Sequence, residues 1–175
     1  DPWLIGYFID NELEWGGRNY KPLGLFDEAW MKPAGHSAKQ AWVKYLEHEL
    51  GSASAMQHHW GVAISDFSEL ARHVTPSAGL TSRAEAIAEG WVRLCAREYF
   101  QKTTDAIRKF DPNHLILGCR FAGRAPHVLD IAGDYCDVLS FNVYPRIDVE
   151  RGVLESVLAK LESWYHEADV PLMVT

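Results

Sequence analysis

The chain has 175 residues, 47% of them hydrophobic, so it is long enough and apolar enough to bury a core of one domain. Its 17 Lys and Arg residues stand against 24 Asp and Glu, and the net charge of -7 excludes the positive field that would gather nucleic acid. No apolar run approaches the roughly 20 residues of a membrane span, so no membrane partner is expected.

Four strands are predicted in chain order. The first apolar run is residues 3–9 (WLIGYFI), which ends in the polar triplet Asp10-Asn11-Glu12. Continuous apolar runs of this length are typical of strands buried on both faces, as in parallel sheets. Three later runs repeat the design after turn signals; they are residues 114–120 (HLILGCR), 137–144 (DVLSFNVY) and 171–175 (PLMVT).

A pair of helices is predicted between the first two strands. Ser37 with Gln40 matches a capping box, and Gly51 supplies the stop. Ser52 then opens a short second helix that runs to Trp60. The first of these helices carries an apolar stripe, predicted to be buried, of Trp42, Tyr45, Leu46 and Leu50.

Two further helical patterns lead into the second and fourth predicted strands. Their apolar residues recur at spacings of three and four, which gives each helix one apolar face. Residues 87–110 carry Ile87, Trp91, Leu94, Cys95, Thr103, Ile107 and Phe110 on this face, and residues 152–168 carry Val153, Val157, Leu158, Leu161 and Trp164.

Alternating strands and helices predict an α/β fold, either a doubly wound sheet or a barrel. No glycine-rich phosphate loop follows any predicted strand, which disfavours the nucleotide-binding sheet and a nicotinamide or flavin cofactor. We therefore predict a partial (β/α)8 TIM barrel with about four parallel strands. Residues 1–175 are expected to form a single incomplete catalytic barrel domain, in which residues 16–86 are a long, insertion-bearing connection. Because both ends lie in strand-like runs, the sequence is interpreted as an excerpt of a longer protein.

Candidate site residues cluster where the predicted strands end. Asn11 and Glu12 follow the first strand, at the barrel end where catalytic side chains gather. Trp15 and Trp60 come from the connection after the same strand, and Tyr144 ends the third. Aromatic faces of this kind can stack on sugar rings. Taken singly, an Asn-Glu pair is more often a surface loop, and a tryptophan is more often core.

The stretch WLIGYFIDNELEWGG resembles the acid/base strand of the clan A glycoside hydrolases. By this resemblance Glu12 is the general acid/base and Asn11 contacts the sugar 2-hydroxyl. Asn142-Val-Tyr144 lies where the clan usually has His-x-Tyr after its sixth strand, with Asn replacing His. The residues expected to bind substrate are Trp15, Arg120, Asn142, Tyr144 and Trp60; Arg120 is also open to a structural ion-pair role.

Longer segments make the resemblance more specific. DPNHLILGCRFAG and YCDVLSFNVYP look most like family 50 β-agarases, and AWVKYLEHELGSASAMQHHWG is similar to the insertion in family 42 β-galactosidases and agarase-like relatives. The resemblance implies a stretch from the fourth to the seventh barrel strand of a retaining hydrolase of β-galactosidic linkages. It places the nucleophile just after Thr175, so the 175 residues alone are expected to be inactive.

A family 50-like enzyme would be secreted or periplasmic and a family 42-like β-galactosidase cytoplasmic, so the compartment and the oligomeric state stay open. The partner expected in either case is a carbohydrate, and no cofactor is expected. A further alternative is a non-catalytic carbohydrate-binding barrel, against which the presence of both Asn11 and Glu12 argues. No metal site is expected, because His48-Glu49 is not followed by the second histidine of HExxH and the three cysteines show no CxxC spacing.

Overall fold

Short parallel strands alternate with helices in the computed structural model, which describes residues 1–16, 21–123, 125–144, 148–150 and 155–175. The chain divides into two compact units, the first formed by Asp1–Leu13 with Cys95–Thr175 and the second by Glu14–Leu94. In chain order the elements are β1 (Gly6–Tyr7), α1 (Gly24–Met31), α2 (Ser37–Leu50), α3 (Ala53–Trp60), a 3-10 helix (Phe67–Arg72), α4 (Ser82–Phe110), β2 (Leu115–Ile116), α5 (Leu129–Tyr135), β3 (Leu139–Phe141), α6 (Glu155–Ala168) and β4 (Leu172–Val174).

All four strands belong to the first unit, and their pairings are parallel. β1 pairs with β2, with Gly6 opposite Leu115, and β3 pairs with β4, with Leu139 opposite Leu172. A parallel bridge between Phe121 and Phe141 links the two pairs. The predicted α/β class and parallel strand direction are confirmed, and the carboxyl ends of these strands therefore point the same way.

The first strand is shorter and more exposed than the sequence predicts. The apolar run of residues 3–9 was expected to be buried on both faces, but only Gly6–Tyr7 forms a strand. Trp3 is 90% exposed and Ile5 66% exposed. The physical reason is that β1 is paired with β2 alone in the part of the chain that the structure describes.

Aromatic side chains fill the core of the first unit. Phe141 stacks on Trp164 of α6 at a centroid distance of 4.6 Å and lies 5.4 Å from the ring of Phe121. α5 approaches the end of α6 so closely that a Cβ atom on Gly133 would lie 2.0 Å from the carbonyl oxygen of Ala168. A side chain at position 133 would therefore push these two helices apart.

A polar cluster joins β1 to the turn before β2. The carboxylate of Asp111 accepts hydrogen bonds from the Tyr7 hydroxyl at 2.7 Å and from the backbone N–H of His114 at 3.1 Å, and its Oδ2 lies 2.6 Å from His114 Nδ1. These hydrogen bonds, that of Tyr7 foremost, hold the pKa of Asp111 well below its usual range. The ionised carboxylate therefore stabilises the fold.

Replacing Asp111 with Asn is expected to lower the melting temperature at pH 7 by a few degrees, because the amide keeps the shape but loses charge-assisted hydrogen bonds. A depressed carboxyl pKa stabilises the fold above the unfolded value of about 3.9, and this stabilisation is lost as the pH falls below it. Thermal melts between pH 3 and pH 7 should show the difference from wild type shrinking toward acid. The exposed Asp105→Asn serves as control, and a pH-independent deficit would contradict the prediction.

The second unit is built on a cluster of large aromatic side chains. Phe26 of α1 stacks on Trp60 of α3 at 5.8 Å, with an angle of 18° between the rings. Trp42 of α2 lies 5.5 Å from Phe26 and 5.0 Å from Trp30, and both tryptophans are 0% exposed. The predicted burial of Trp42 and Leu46 on one face of α2 is confirmed.

A buried lysine ties two helix ends together in this unit. Lys39 is 0% exposed, and its ammonium donates to the carbonyl oxygens of Trp30 and His73, each at 2.6 Å. Trp30 lies in the last turn of α1 and His73 directly follows the 3-10 helix, so the cation sits where carbonyl groups lack helical partners. Burial lowers the pKa of Lys39 to about 8.

Helix boundaries confirm some expectations and correct others. Gly51 ends α2 in the left-handed conformation at φ +67°, as predicted. The predicted Ser37 cap is wrong by one residue, because His36 Nδ1 accepts from the backbone N–H of Ala38 at 3.1 Å. Phe110, predicted on the buried face of α4, is 84% exposed. For the predicted helix over residues 152–168, residues 152–154 lie outside the described residues.

Candidate functional site

Glu12 lies just beyond β1, on a segment anchored to the residues that follow β2. The backbone N–H of Ile9 donates to the carbonyl oxygen of Gly118 at 2.9 Å, which extends the pairing of the two strands. The N–H of Glu12 then lies 3.2 Å from the carbonyl oxygens of both Cys119 and Arg120. The half-buried Glu12 side chain is thereby placed at the carboxyl end of the strands.

Two residues of this region have strained backbones. Glu12 has φ +54° and Arg120 has φ +45°, both in the left-handed region that residues other than glycine rarely adopt. Such conformations cost on the order of 1 to 3 kcal/mol and persist where the surroundings determine them, often at functional sites. The shared hydrogen bonds between these two segments are the constraint that holds them.

A chain of side-chain hydrogen bonds links four residues around the Glu12 carboxylate. Asn142 Nδ2 donates to Glu12 Oε1 at 2.5 Å. Thr175 Oγ1 donates to Asn142 Oδ1 at 2.7 Å, and Arg120 Nε donates to Thr175 Oγ1 at 3.3 Å. We call these four residues the Glu12 network.

Neighbouring groups hold the Arg120 end of the network in place. Its guanidinium carbon lies 5.6 Å from the centroid of the Phe8 ring, a cation–π arrangement. Its backbone N–H donates to the buried hydroxyl of Ser140 at 3.1 Å. These contacts hold Arg120 at the strand ends, where its Nε donates to Thr175.

The Glu12 network contains one carboxyl group, that of Glu12, which is partly exposed and accepts a hydrogen bond from Asn142 at one of its two oxygens. A carboxyl group in this setting can donate or accept a proton at its second oxygen, which is the requirement for general acid/base catalysis.

Within the described residues, no group of three or more His, Cys, Asp or Glu side chains is placed to hold a metal ion. In the same residues no helix has the length and apolarity to cross a membrane.

Comparisons with known proteins point to one class of enzyme. The chain is 31% identical over 157 residues to β-agarase A of Vibrio sp. (strain JT0107) and 29% identical over 149 residues to β-agarase B of the same organism. It superimposes with a TM-score of 0.80 on a crystallised agarase at 28% identity, and with 0.80 on an exo-β-agarase at 26% identity. The chain is agarase-like in sequence and fold.

This agarase-like chain matches only a part of each relative. The sequence alignments cover 82% of the chain but 16% of β-agarase B and 15% of β-agarase A. The two superpositions cover 99% of the chain and 24% and 23% of the agarase and the exo-β-agarase. No protein-family model matches the chain. The relatives named are agarases, and the expected similarity to family 42 β-galactosidases stays a prediction.

The structure of the agarase-like chain brings together three of the predicted site residues, Glu12, Arg120 and Asn142. Asn11 is exposed beside Glu12, and its backbone N–H donates to Asp10 Oδ1 at 2.8 Å. Tyr144 follows the end of β3 by three residues and is 82% exposed. The roles assigned to these residues stay predictions.

The two predicted tryptophan platforms are corrected by their burial. Trp60 is 2% exposed and stacks on Phe26 in the core of the second unit, so its ring lacks a face for a sugar. Trp15 is 8% exposed and also belongs to the second unit. Large aromatic rings near a candidate site serve as core more often than as platforms, and the sequence does not distinguish these two uses.

Two contacts of the site are not predicted from the sequence. Thr175 hydrogen-bonds Asn142, although the sequence indicates residue 175 only as the end of a strand. Tyr99 of α4 donates its hydroxyl to Asp10 Oδ2 at 3.2 Å, which helps to fix the segment before Glu12. The strand-end position of Thr175 was the available signal, whereas nothing in the sequence pairs Tyr99 with Asp10.

Proposed function

We propose that the full-length parent of this chain is a β-agarase of the family 50 type, a glycoside hydrolase in which Glu12 is the general acid/base. The observation that carries this proposal is the placement of Glu12. Its carboxyl group lies at the strand ends, is held by Asn142, and belongs to a chain that is agarase-like over nearly its whole length. An acid at this position can protonate the oxygen of the leaving sugar.

The four parallel strands are proposed to be part of a (β/α)8 barrel. Catalytic residues of such barrels lie on the loops at the carboxyl ends of the strands. The four residues of the Glu12 network all lie at that end, and each follows a different strand: β1 is followed by Glu12, β2 by Arg120, β3 by Asn142 and β4 by Thr175. The single catalytic domain expected from the sequence is part of the same proposal.

A retaining mechanism is also proposed. It requires a second carboxylate about 5 to 5.5 Å from the acid/base, which attacks the anomeric carbon. Thr175 contacts Asn142, and Asn142 contacts Glu12, so the residue that follows Thr175 in the parent protein would adjoin this network. We place the nucleophile there in the parent protein.

Two exposed residues are proposed to contact the substrate. Asn11 is adjacent to Glu12 and offers an amide suited to a sugar hydroxyl. Tyr144 presents an exposed ring and hydroxyl beyond β3, the combination that sugar-binding aromatics use. The substrate class proposed is the β-linked galactose chain of agarose or its oligosaccharides.

The test is an assay of the full-length parent on agarose, on agaro-oligosaccharides and on aryl β-galactosides. We expect turnover of the agarose-derived substrates, with the anomeric configuration retained in the first product seen by proton NMR. Hydrolysis of aryl β-galactosides without any action on agarose would favour the family 42-like enzyme. Binding of oligosaccharides without turnover of any substrate would replace the enzyme by a carbohydrate-binding barrel.

A further inference from the structure

We propose that Asn142 is a positioning residue that fixes the Glu12 carboxyl group by holding Oε1, so that Oε2 is the oxygen that exchanges the catalytic proton. This inference rests on the proposed role of Glu12 as acid/base. It replaces the sequence-based expectation that Asn142 contacts the sugar. Asn142 is 7% exposed, and both the oxygen and the nitrogen of its side-chain amide form hydrogen bonds to protein groups.

The need for such a residue follows from the torsion that ends a glutamate side chain. Rotation about the last bond of Glu is broad, so an unheld carboxyl group presents its two oxygens in many directions. A hydrogen bond of 2.5 Å from Asn142 Nδ2 removes that freedom. Glu12 Oε2 has no hydrogen bond to any side chain in the described part of the chain, so it is the oxygen available to substrate.

The directions of the hydrogen bonds in the Glu12 network determine that the Asn142 amide turns its nitrogen toward Glu12 and its oxygen toward Thr175. Arg120 Nε can only donate, so the Thr175 hydroxyl accepts from it. The proton of that hydroxyl then points to Asn142 Oδ1 at 2.7 Å, a shorter distance than the 3.3 Å to the carbonyl oxygen of Phe141. Reversing the amide would place two acceptor oxygens 2.5 Å apart at an ionised Glu12.

The backbone gives Asn142 the rigidity that positioning requires. It follows β3 directly, and its N–H donates to the carbonyl oxygen of Phe121 at 2.8 Å. The neighbouring bridge between Phe121 and Phe141 holds the same segment. The amide is therefore carried on paired backbone within the core, where hydrogen bonds are stronger than in water.

The proton transfer that this geometry assigns to Oε2 is balanced. Glu12 Oε2–H gives its proton to the glycosidic oxygen as the bond from that oxygen to the anomeric carbon breaks, and the electron pair stays on the leaving oxygen. The second carboxylate forms the new bond to the anomeric carbon. Oε2 then takes a proton from the attacking water, which displaces that carboxylate, while Oε1 stays bonded to Asn142.

The test uses the full-length parent with Asn142→Leu and two substrates, an agaro-oligosaccharide and an aryl glycoside with an activated leaving group. We expect kcat/KM for the oligosaccharide to fall about 10- to 100-fold, because a misplaced catalytic group costs up to about 10²-fold. The activated aryl glycoside needs little protonation of its leaving group, so its kcat/KM, which reports only the first step of a retaining mechanism, should change little.

Two threonine variants provide a matched comparison. Thr175→Val removes the donor to Asn142 and should give the same dependence on the leaving group, at smaller size, with Thr175→Ser restoring the wild-type ratio. Thr104→Val makes the same exchange at a buried hydroxyl of α4 that bonds the carbonyl of Phe100 instead. It should leave the ratio of the kcat/KM values for the two substrates unchanged.

The outcomes separate this inference from the proposed function. Equal losses of kcat/KM for both substrates would make Asn142 a sugar contact or a merely structural residue, and this result would overturn the proposal. If the wild type hydrolyses neither substrate, the proposed function fails. The positioning role of Asn142 can then still be tested by crystal structures of the wild type and of Asn142→Leu. A Glu12 carboxyl group that keeps its orientation in Asn142→Leu would refute the positioning role, and a rotated carboxyl group would support it.

Discussion

Glu12→Gln in the full-length parent is expected to lower kcat on agaro-oligosaccharides by about 10²- to 10⁴-fold, the range that general acid/base catalysis supplies. The amide is isosteric and still accepts the hydrogen bond from Asn142 at one atom, so the loop should keep its shape. The amide lacks the acidic proton, so the leaving sugar must depart unprotonated. Binding of oligosaccharide, measured by calorimetry, should persist.

Glu14→Gln is the matched control for this variant. Glu14 follows Glu12 by two residues and is exposed, so the same exchange removes a charge of the same kind without touching the Glu12 network. We expect its kcat and KM to equal those of the wild type. Undiminished activity of Glu12→Gln, or an equal loss in Glu14→Gln, would remove Glu12 from the mechanism.

The strand assignment shows what apolar runs can and cannot reveal. Each predicted run contains an observed strand, because continuous apolar segments are typical of strands in parallel sheets. The ends were overestimated, since residues 137–144 were predicted and only Leu139–Phe141 forms β3. Apolar composition marks where a strand lies but not how far its backbone is paired.

Two short helices are not predicted from the sequence, for a physical reason. α1 has 8 residues and α5 has 7, and neither begins with a side-chain cap that would mark its start. Helices of this length have little intrinsic stability and form because the tertiary core packs against them. The long α4 was predicted in part, because its apolar positions repeat over many turns.

The candidate site was predictable at one residue and not at its contacts. Glu12 was identified by its position after a strand and by the resemblance of its surroundings. Its hydrogen bond to Asn142 joins residues 130 positions apart, and a single sequence has no pattern that encodes such a pair. The ring of Trp60, equally plausible in sequence as a sugar platform, is core because Phe26 packs against it.

The burial of Lys39 in the second unit is another feature that the sequence does not predict. A lysine on a helix is expected at the surface, since lysine is almost never fully buried without partners. Here the partners are two backbone carbonyl groups at helix ends, and the Trp42 ring lies 4.4 Å from the ammonium. Carbonyl partners have no sequence signature, so this arrangement is visible only in the structure.

Trp42→Ala is expected to lower the free energy of unfolding by about 3 to 5 kcal/mol, the range for removing a buried Trp or Phe side chain. Trp42 is 0% exposed and packs on Phe26, on Trp30 and beneath the ammonium of Lys39, so the change leaves a cavity at the centre of the second unit. Denaturation in urea, followed by circular dichroism, measures the loss.

Trp42→Phe should be much milder than Trp42→Ala. Within the described residues the indole Nε1 of Trp42 is buried without a hydrogen-bond partner, and leaving such a group unsatisfied costs about 1 to 3 kcal/mol. Phenylalanine keeps part of the ring packing and removes the unsatisfied N–H, so the lost packing is partly offset by the removal of that penalty.

The control for Trp42→Ala is Trp3→Ala, the same exchange at a side chain that is 90% exposed. It should change the free energy of unfolding by no more than about 0.5 kcal/mol. Similar losses for Trp3→Ala and Trp42→Ala would show that Trp42 is not the centre of this core.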